Sequence, residues 1–410
     1  METSAAATLA IHDLNLTAIM LGIGVLIAIV ARFLRTPDVA LLLIVGMIIG
    51  PAGFNWVDVS IDSEMNQLIL IFGSAYILYD GGASLRLSVL KQTWITITVI
   101  STIGVLITGG ITAAAAHYLM GLAWPIALLL GAVIASTDPA TLVPVFRQVA
   151  IRDRVAQTVM SESAFNDAMA AIFTFTLVAI VMGTKEFSAS AVVIDLFWQS
   201  GIGVLCGAVV GYVVMYLVGH PRRGWAADHA SVLTLVSVII AYISATHFHA
   251  SGFMAVFVLG IFMGNQDVLG FSMSSKALHN TEQYTLTTAF VMRVFIFILL
   301  GSHVDFALIM EQGMSTLWVV LIFMLVARPV TVFICAGADR RAKWTVQEML
   351  FMSWTRETGV IPGALAGILM GMNVPGADVI ASVTLVAILV TILVQATTTR
   401  WLAEKLDLLA

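Results

Sequence analysis

Apolar stretches of membrane-crossing length follow one another along nearly the whole chain, separated by short joints rich in charges and turn formers. About 20 apolar residues are needed to cross a hydrocarbon core as a helix. Reading the stretches between charges predicts thirteen spans, near 14–34, 38–54, 66–84, 92–119, 123–147, 155–183, 191–219, 229–249, 252–266, 283–303, 314–337, 346–372 and 378–401. The segment from Gln92 to Thr137 contains no Asp, Glu, Lys or Arg over 46 residues, enough for two crossings. The fold class this implies is an all-α polytopic membrane protein.

Composition supports that reading. Of 410 residues, 60% are hydrophobic and only 10% charged, whereas a soluble domain carries roughly a quarter charged residues. A soluble enzyme is therefore excluded. The net charge of −5 points to no partner, and without a basic tract no nucleic acid is expected. Numbering the joints alternately places Arg32, Arg35, Arg86, Lys91, Arg147, Arg152, Arg154, Arg222, Arg223, Lys276, Arg340, Arg341, Lys343, Arg400 and Lys405 on one side, against Lys185 alone on the other. The positive-inside rule then puts the N-terminus outside and the C-terminus in the cytoplasm. Glu2 and Asp13 precede the first apolar run with no Lys or Arg, so a cleaved signal is not expected. No joint accommodates a soluble domain. There is no G-x-x-x-x-G-K-[ST] or G-x-G-x-x-G motif, so neither a nucleotide nor a cofactor is expected. Cys206 and Cys335 lie within apolar segments and read as buried fillers.

Eight charges remain inside predicted spans: Arg293, Arg328 and Arg356, with Asp80, Asp138, Glu162, Asp167 and Glu357. Each costs about 2.5–3.5 kcal/mol at a helix centre on insertion scales, so such groups persist only when paired, hydrated or used. Five acids against three arginines leave at least two carboxylates without a basic partner, and hard cations prefer oxygen ligands. In the fifth span, STDPATLVP places Asp138 directly before Pro139, which predicts a broken helix whose freed carbonyls, with Thr137 and Asp138, suit a cation. A kinked packing helix is the plain alternative. In the sixth, SESAFNDA puts Glu162–Asn166 and Ser163–Asp167 on adjoining stripes at i,i+4 spacing, near mid-membrane; a buried hydrogen-bond network is the alternative there. The twelfth span, with Gly359, Pro362 and Gly363 close together, is a second candidate break. Two breaks seven spans apart predict two inverted six-span units, 14–183 and 229–401, joined by the span 191–219 within one transporter domain.

At ILYDGGASL, TDPATLVPVF, ESAFND, RVFIFILLG, ARP and TGVIPGALA the chain resembles the cation:proton antiporter superfamily, specifically the NhaP-type sodium/proton antiporters. The resemblance is collinear over nearly the whole chain. It implies thirteen spans, a homodimer in the cell's inner (plasma) membrane, and two discontinuous helices crossing near the midplane. It also implies secondary exchange of Na⁺, or Li⁺ or K⁺, for H⁺ by alternating access, with cation and proton competing for Asp167. Thr137, Asp138 and Ser163 would complete the Na⁺ coordination and Glu162 would support it. Asn166 before Asp167 matches the electroneutral members, which exchange one for one. Arg328 matches an arginine that pairs with a site carboxylate, and Asp80 stands where many relatives have Glu. Relatives commonly carry an arginine directly before the glycine of the second break, where this chain has Thr358. That leaves Arg356 as the candidate for the neutralising role, outside the cation ligands, with Glu357 beside it. Arg293 is a supporting charge expected to pair with Asp80 or Glu357. A cation channel, a proton-coupled organic solute symporter and a non-transporting scaffold are the rival readings.

Overall fold

The computed structural model describes residues 5–34, 37–137, 151–184, 188–219, 226–304 and 306–409, and each predicted apolar run contains a helix. In chain order they are α1 (Ala5–Leu34), α2 (Asp38–Ile49), α3 (Glu64–Ser84), α4 (Leu87–Met120), α5 (Trp124–Ala135), α6 (Asp153–Val181) and α7 (Ala189–Gly219). Then come α8 (Ala230–His247), α9 (Gly252–Gly264), α10 (Ser275–Ser302), α11 (Phe306–Ile322) and, after a π-helical turn at Phe323–Ala327, α12 (Arg328–Ala338). The chain continues through α13 (Val346–Trp354), α14 (Val360–Gly371), α15 (Ala377–Val390), a second π turn at Thr391–Ala396 and α16 (Thr397–Lys405). Among the described residues, eight helical runs are long and apolar enough to cross a membrane. Four further apolar helices, α2, α5, α9 and α14, have only 12 or 13 residues.

Local chemistry explains most boundaries. Ser63, Ser251 and Ser274 cap α3, α9 and α10 by accepting from the backbone N–H three residues on. Hydropathy placed the start of the tenth span at 283, but α10 begins eight residues earlier, because a polar helical turn continues beyond the apolar segment once Ser274 caps it. The second predicted span, 38–54, stops helically at Ile49, where Gly50 and Pro51 turn the chain. The π turn at Phe323–Ala327 stands directly before Arg328–Pro329, and proline lacks the N–H that a regular turn needs.

The helices pack in two groups. One contains α1 to α3 with α7 to α10; the other contains α4 to α6 with α11 to α16. Lipid-like surroundings provide little hydrophobic drive between helices, so close packing of small residues takes over. Gly260 and Gly264 of α9 seat against the Tyr79 and Ala83 carbonyls of α3, Gly301 of α10 seats against Leu43 of α2, and Gly131 of α5 against Gly109 of α4. A Cβ at any of these glycines would fall inside van der Waals contact with a backbone oxygen. Outward faces remain apolar: Phe33, Phe197, Trp198 and Trp318 are exposed, as lipid contact requires.

Gly260→Ala is therefore expected to destabilise the protein by about 1–3 kcal/mol, through overpacking against immovable backbone. Gly201→Ala, where a Cβ meets nothing within 4 Å, serves as the neutral control. Thermal unfolding in detergent compares the two; equal midpoints would show that the α3–α9 seam yields.

Candidate functional site

Helix α5 ends at Ala135, and Ser136 is already extended (φ −65°, ψ 147°). Both Ser136 and Thr137 are completely buried against α6. There the α6 stripe receives them. Ser136 donates its hydroxyl to a carboxylate oxygen of Asp167. The Thr137 amide donates to Asn166 Oδ1 (3.1 Å), and its hydroxyl lies 2.6 Å from the Ser163 hydroxyl. Asn166 in turn donates through Nδ2 to Thr137 Oγ1 and to Glu162 Oε1, each at 2.7 Å. The i,i+4 pattern of α6 thus presents Glu162, Ser163, Asn166 and Asp167 together to the unwound end of α5.

The second break is fully described. Helix α13 stops at Trp354, residues 355–359 are non-helical, and α14 begins at Val360 with Pro362 in its first turn, where its missing N–H is harmless. Gly359 adopts φ −149°, ψ −131°. Arg356 in this stretch donates to Glu162 Oε1 at 2.7 Å, with both side chains almost fully buried. The partial negative charge at the C-terminal end of α13 favours a cation at this position. Thr358 donates its amide to Thr391 Oγ1 (3.1 Å) on the second π turn, and its hydroxyl accepts from Arg328 Nη2 at 3.4 Å. Ser101 of α4 donates to the Glu162 carbonyl at 3.2 Å.

One cluster therefore contains Thr137, Glu162, Ser163, Asn166, Asp167 and Arg356. Asp138 lies outside the described residues. Arg328 is completely buried, but its bonded partner is the Thr358 hydroxyl, and its guanidinium stacks 4.3 Å from the Phe323 ring centroid. The charges of Glu162 and Glu357 also act on it, and an aromatic face suits a guanidinium. Glu357 is completely buried beside this segment. Arg293 forms an ion pair with Asp38 at 4.0 Å, as α10 packs along α2, and its charge also acts on Asp80.

Asp80 stands apart from the cluster. It lines a cavity of about 860 Å³ between the two helix groups, with Asp153, Gln157 and Met160 of α6 and with Asp267 and Glu282. Gln157 and Met160 lie within two turns of Glu162, so the cavity runs along α6 toward the cluster. Motif reading passed over Ser136, Ser101 and Thr391. The available signal was position: Ser136 immediately precedes the Thr137–Asp138–Pro139 break, and Thr391 interrupts an aliphatic run.

A family model described as sodium/hydrogen exchanger, transmembrane, matches residues 18–405. The Na(+)/H(+) antiporter ApNhaP of Aphanothece halophytica is 28% identical over 400 residues, covering 96% of this chain and 74% of that protein. The K(+)/H(+) antiporter NhaP of Alkalimonas amylolytica is 28% identical over 402 residues, covering 95% and 67%. The solved structure of the sodium proton antiporter MjNhaP1 from Methanocaldococcus jannaschii at pH 8 superposes with a TM-score of 0.79 at 27% identity, covering 97% of this chain and 99% of that one.

Breaking a buried ion pair from one side strands a charge and costs about 3–5 kcal/mol, whereas removing both partners costs far less. Glu162→Gln and Arg356→Met are each expected to lose that much stability, and the double variant to recover most of it. Thermal unfolding of the three variants checks this; a double variant no better than either single would contradict the pairing.

Proposed function

Since the chain belongs to the sodium/hydrogen exchanger family, we propose that it exchanges an alkali cation for a proton across the cell's inner membrane, one for one. It is a transporter and not an enzyme. The carrying observation is the convergence of the Asp167 carboxylate with the Ser136, Thr137 and Ser163 hydroxyls at an unwound helix end. These are hard oxygen donors, suited to an alkali cation and not to a soft metal. At membrane depth the Asp167 carboxylate needs one positive charge. A proton or a cation supplies it, and each displaces the other. Glu162 is matched by Arg356; with Asp167 as the carboxylate that trades cation for proton, no net charge moves.

Thr137, Ser163 and Asp138 complete the coordination, and Asn166 holds Thr137 against α6. Ser136 is an added ligand: its hydroxyl donates to Asp167 and is free to turn a lone pair to an arriving ion. The cavity carrying Asp80, Asp153, Asp267 and Glu282 supplies a hydrated, cation-attracting approach. Thirteen crossings, with the N-terminus outside and the C-terminus cytoplasmic, are supported by the one-sided basic residues. The paired breaks support inverted units over 14–183 and 229–401, with 191–219 between them. A homodimer follows the family resemblance. The two relatives differ in the cation they are named for, so Na⁺, Li⁺ and K⁺ are all to be tested.

In proteoliposomes, each cation is expected to drive proton movement, and Asp167→Asn to abolish it while the protein remains folded. Exchange retained by Asp167→Asn would sink the assignment. Rates should not change when the membrane potential is clamped; a potential-dependent rate would refute one-for-one exchange. Ser136→Ala is expected to raise the apparent cation KM roughly tenfold, the order of one hydrogen bond to a charged group, with Ser136→Thr near the parent value.

A further inference from the structure

Two charges outside the cluster are tied to it by spacing. Arg154, in the first turn of α6, places Nη2 3.2 Å from Glu348 Oε2 in the first turn of α13. Its guanidinium carbon also lies 4.1 Å from the Trp344 ring centroid. The same Glu348 oxygen accepts from the Thr345 amide (2.9 Å) and hydroxyl (3.2 Å), which caps α13. Trp344 is fixed in turn, donating to Thr96 Oγ1 at 2.9 Å, and Thr96 donates to Asp339 at 2.6 Å. Eight residues further along both chains, Glu162 of α6 meets Arg356 beyond the end of α13. On α6 the two charges are about 12 Å apart at 1.5 Å per residue.

The order of signs is opposite on the two elements. Helix α6 reads positive then negative, Arg154 then Glu162; α13 and its extension read negative then positive, Glu348 then Arg356. Only a parallel arrangement in one register satisfies both pairs. A slip of one turn, about 5.4 Å, breaks both. An antiparallel arrangement would set Arg154 against Arg356 and Glu162 against Glu348. The intervening contact is apolar, built from Val155, Val159, Phe351 and Met352, and such a surface tolerates sliding.

We propose that Arg154–Glu348 and Glu162–Arg356 form a two-rung charge ladder that sets the direction and register of α13 against α6. Arg154 and Glu348 are then positioning residues: they hold the unwound stretch 355–359 at the depth where Arg356 reaches Glu162. The effect on transport rests on the reading of the Asp167 cluster as a cation site; the effect on register does not. Because the Arg154 side chain is 40% exposed, the outer rung adds little to global stability. Its contribution is geometric.

The test uses the full-length protein with Arg154→Met, which keeps the stem over Trp344 without the charge, and Glu348→Gln, which keeps the cap. Hydrogen exchange over residues 349–362 should accelerate in each single variant, and the double variant should be no faster than either. In proteoliposomes, the apparent cation KM should rise roughly three- to tenfold in all three, the scale of coupling between contacting residues, with maximal rate and melting temperature near the parent. Arg154→Lys should restore part of the KM. Unchanged exchange over 349–362, strictly additive single effects, or a lowered melting temperature with unchanged KM would each overturn the ladder. If the parent protein moves no cation, the transport reading falls, and the hydrogen-exchange comparison still decides the ladder.

Discussion

A carboxylate and a guanidinium 2.7 Å apart, both withdrawn from solvent, tie α6 to the unwound stretch that follows α13. Glu162 belongs to a regular helix and Arg356 to the non-helical stretch 355–359. In a low-dielectric interior neither charge is tolerable alone, so each enforces the presence of the other. The rest of the cluster is built outward from Glu162. Its second contact is Asn166, Asn166 holds Thr137, and Thr137 sets the unwound end of α5 beside Ser163 and Asp167. Remove the pair and the unwound stretch loses its anchor to α6, leaving Thr358 tied only to Arg328 and the second π turn.

Rigidity and freedom are distributed unequally around this anchor. Within each helix group, glycine-to-backbone seams leave no space for a methyl group, so α3 and α9, or α4 and α5, move as one piece. Between the groups lies a cavity of about 860 Å³ edged by carboxylates. A change of access would use that boundary, with the cluster travelling inside its own group. The two π turns flank the second break, and such turns are frequent at functional sites.

The helices were legible because hydropathy reports the solvent around them, and the second break was legible because Pro362 fits a helix only in its first turn, which puts the break just before it, at Gly359. Boundaries were missed where polar turns run on past the apolar core, as at residues 275–282, since capping and not hydrophobicity decides those ends. The α6 stripe was visible as spacing alone. Ser136 and Thr391 were not, because single hydroxyls are common in membrane helices and only the fold reveals which of them faces a partner. For Arg328 the described residues show a hydroxyl and an aromatic face, while Asp138 lies outside them.

The short helices beside the two breaks have an electrical consequence. Helices α5 and α14 each have 12 residues, about 18 Å of helix, against a hydrocarbon core of about 30 Å. If water fills the cavity of about 860 Å³, the membrane voltage falls across little more than those half-helices. The local field is then steeper than the bilayer average by roughly the ratio of the two lengths. A charge moving alone through that stretch meets nearly the full 2.3 kcal/mol per 100 mV within about 18 Å. Under the proposed one-for-one exchange, a positive charge carried each way cancels that work, so a thin barrier makes balanced traffic the least opposed kind.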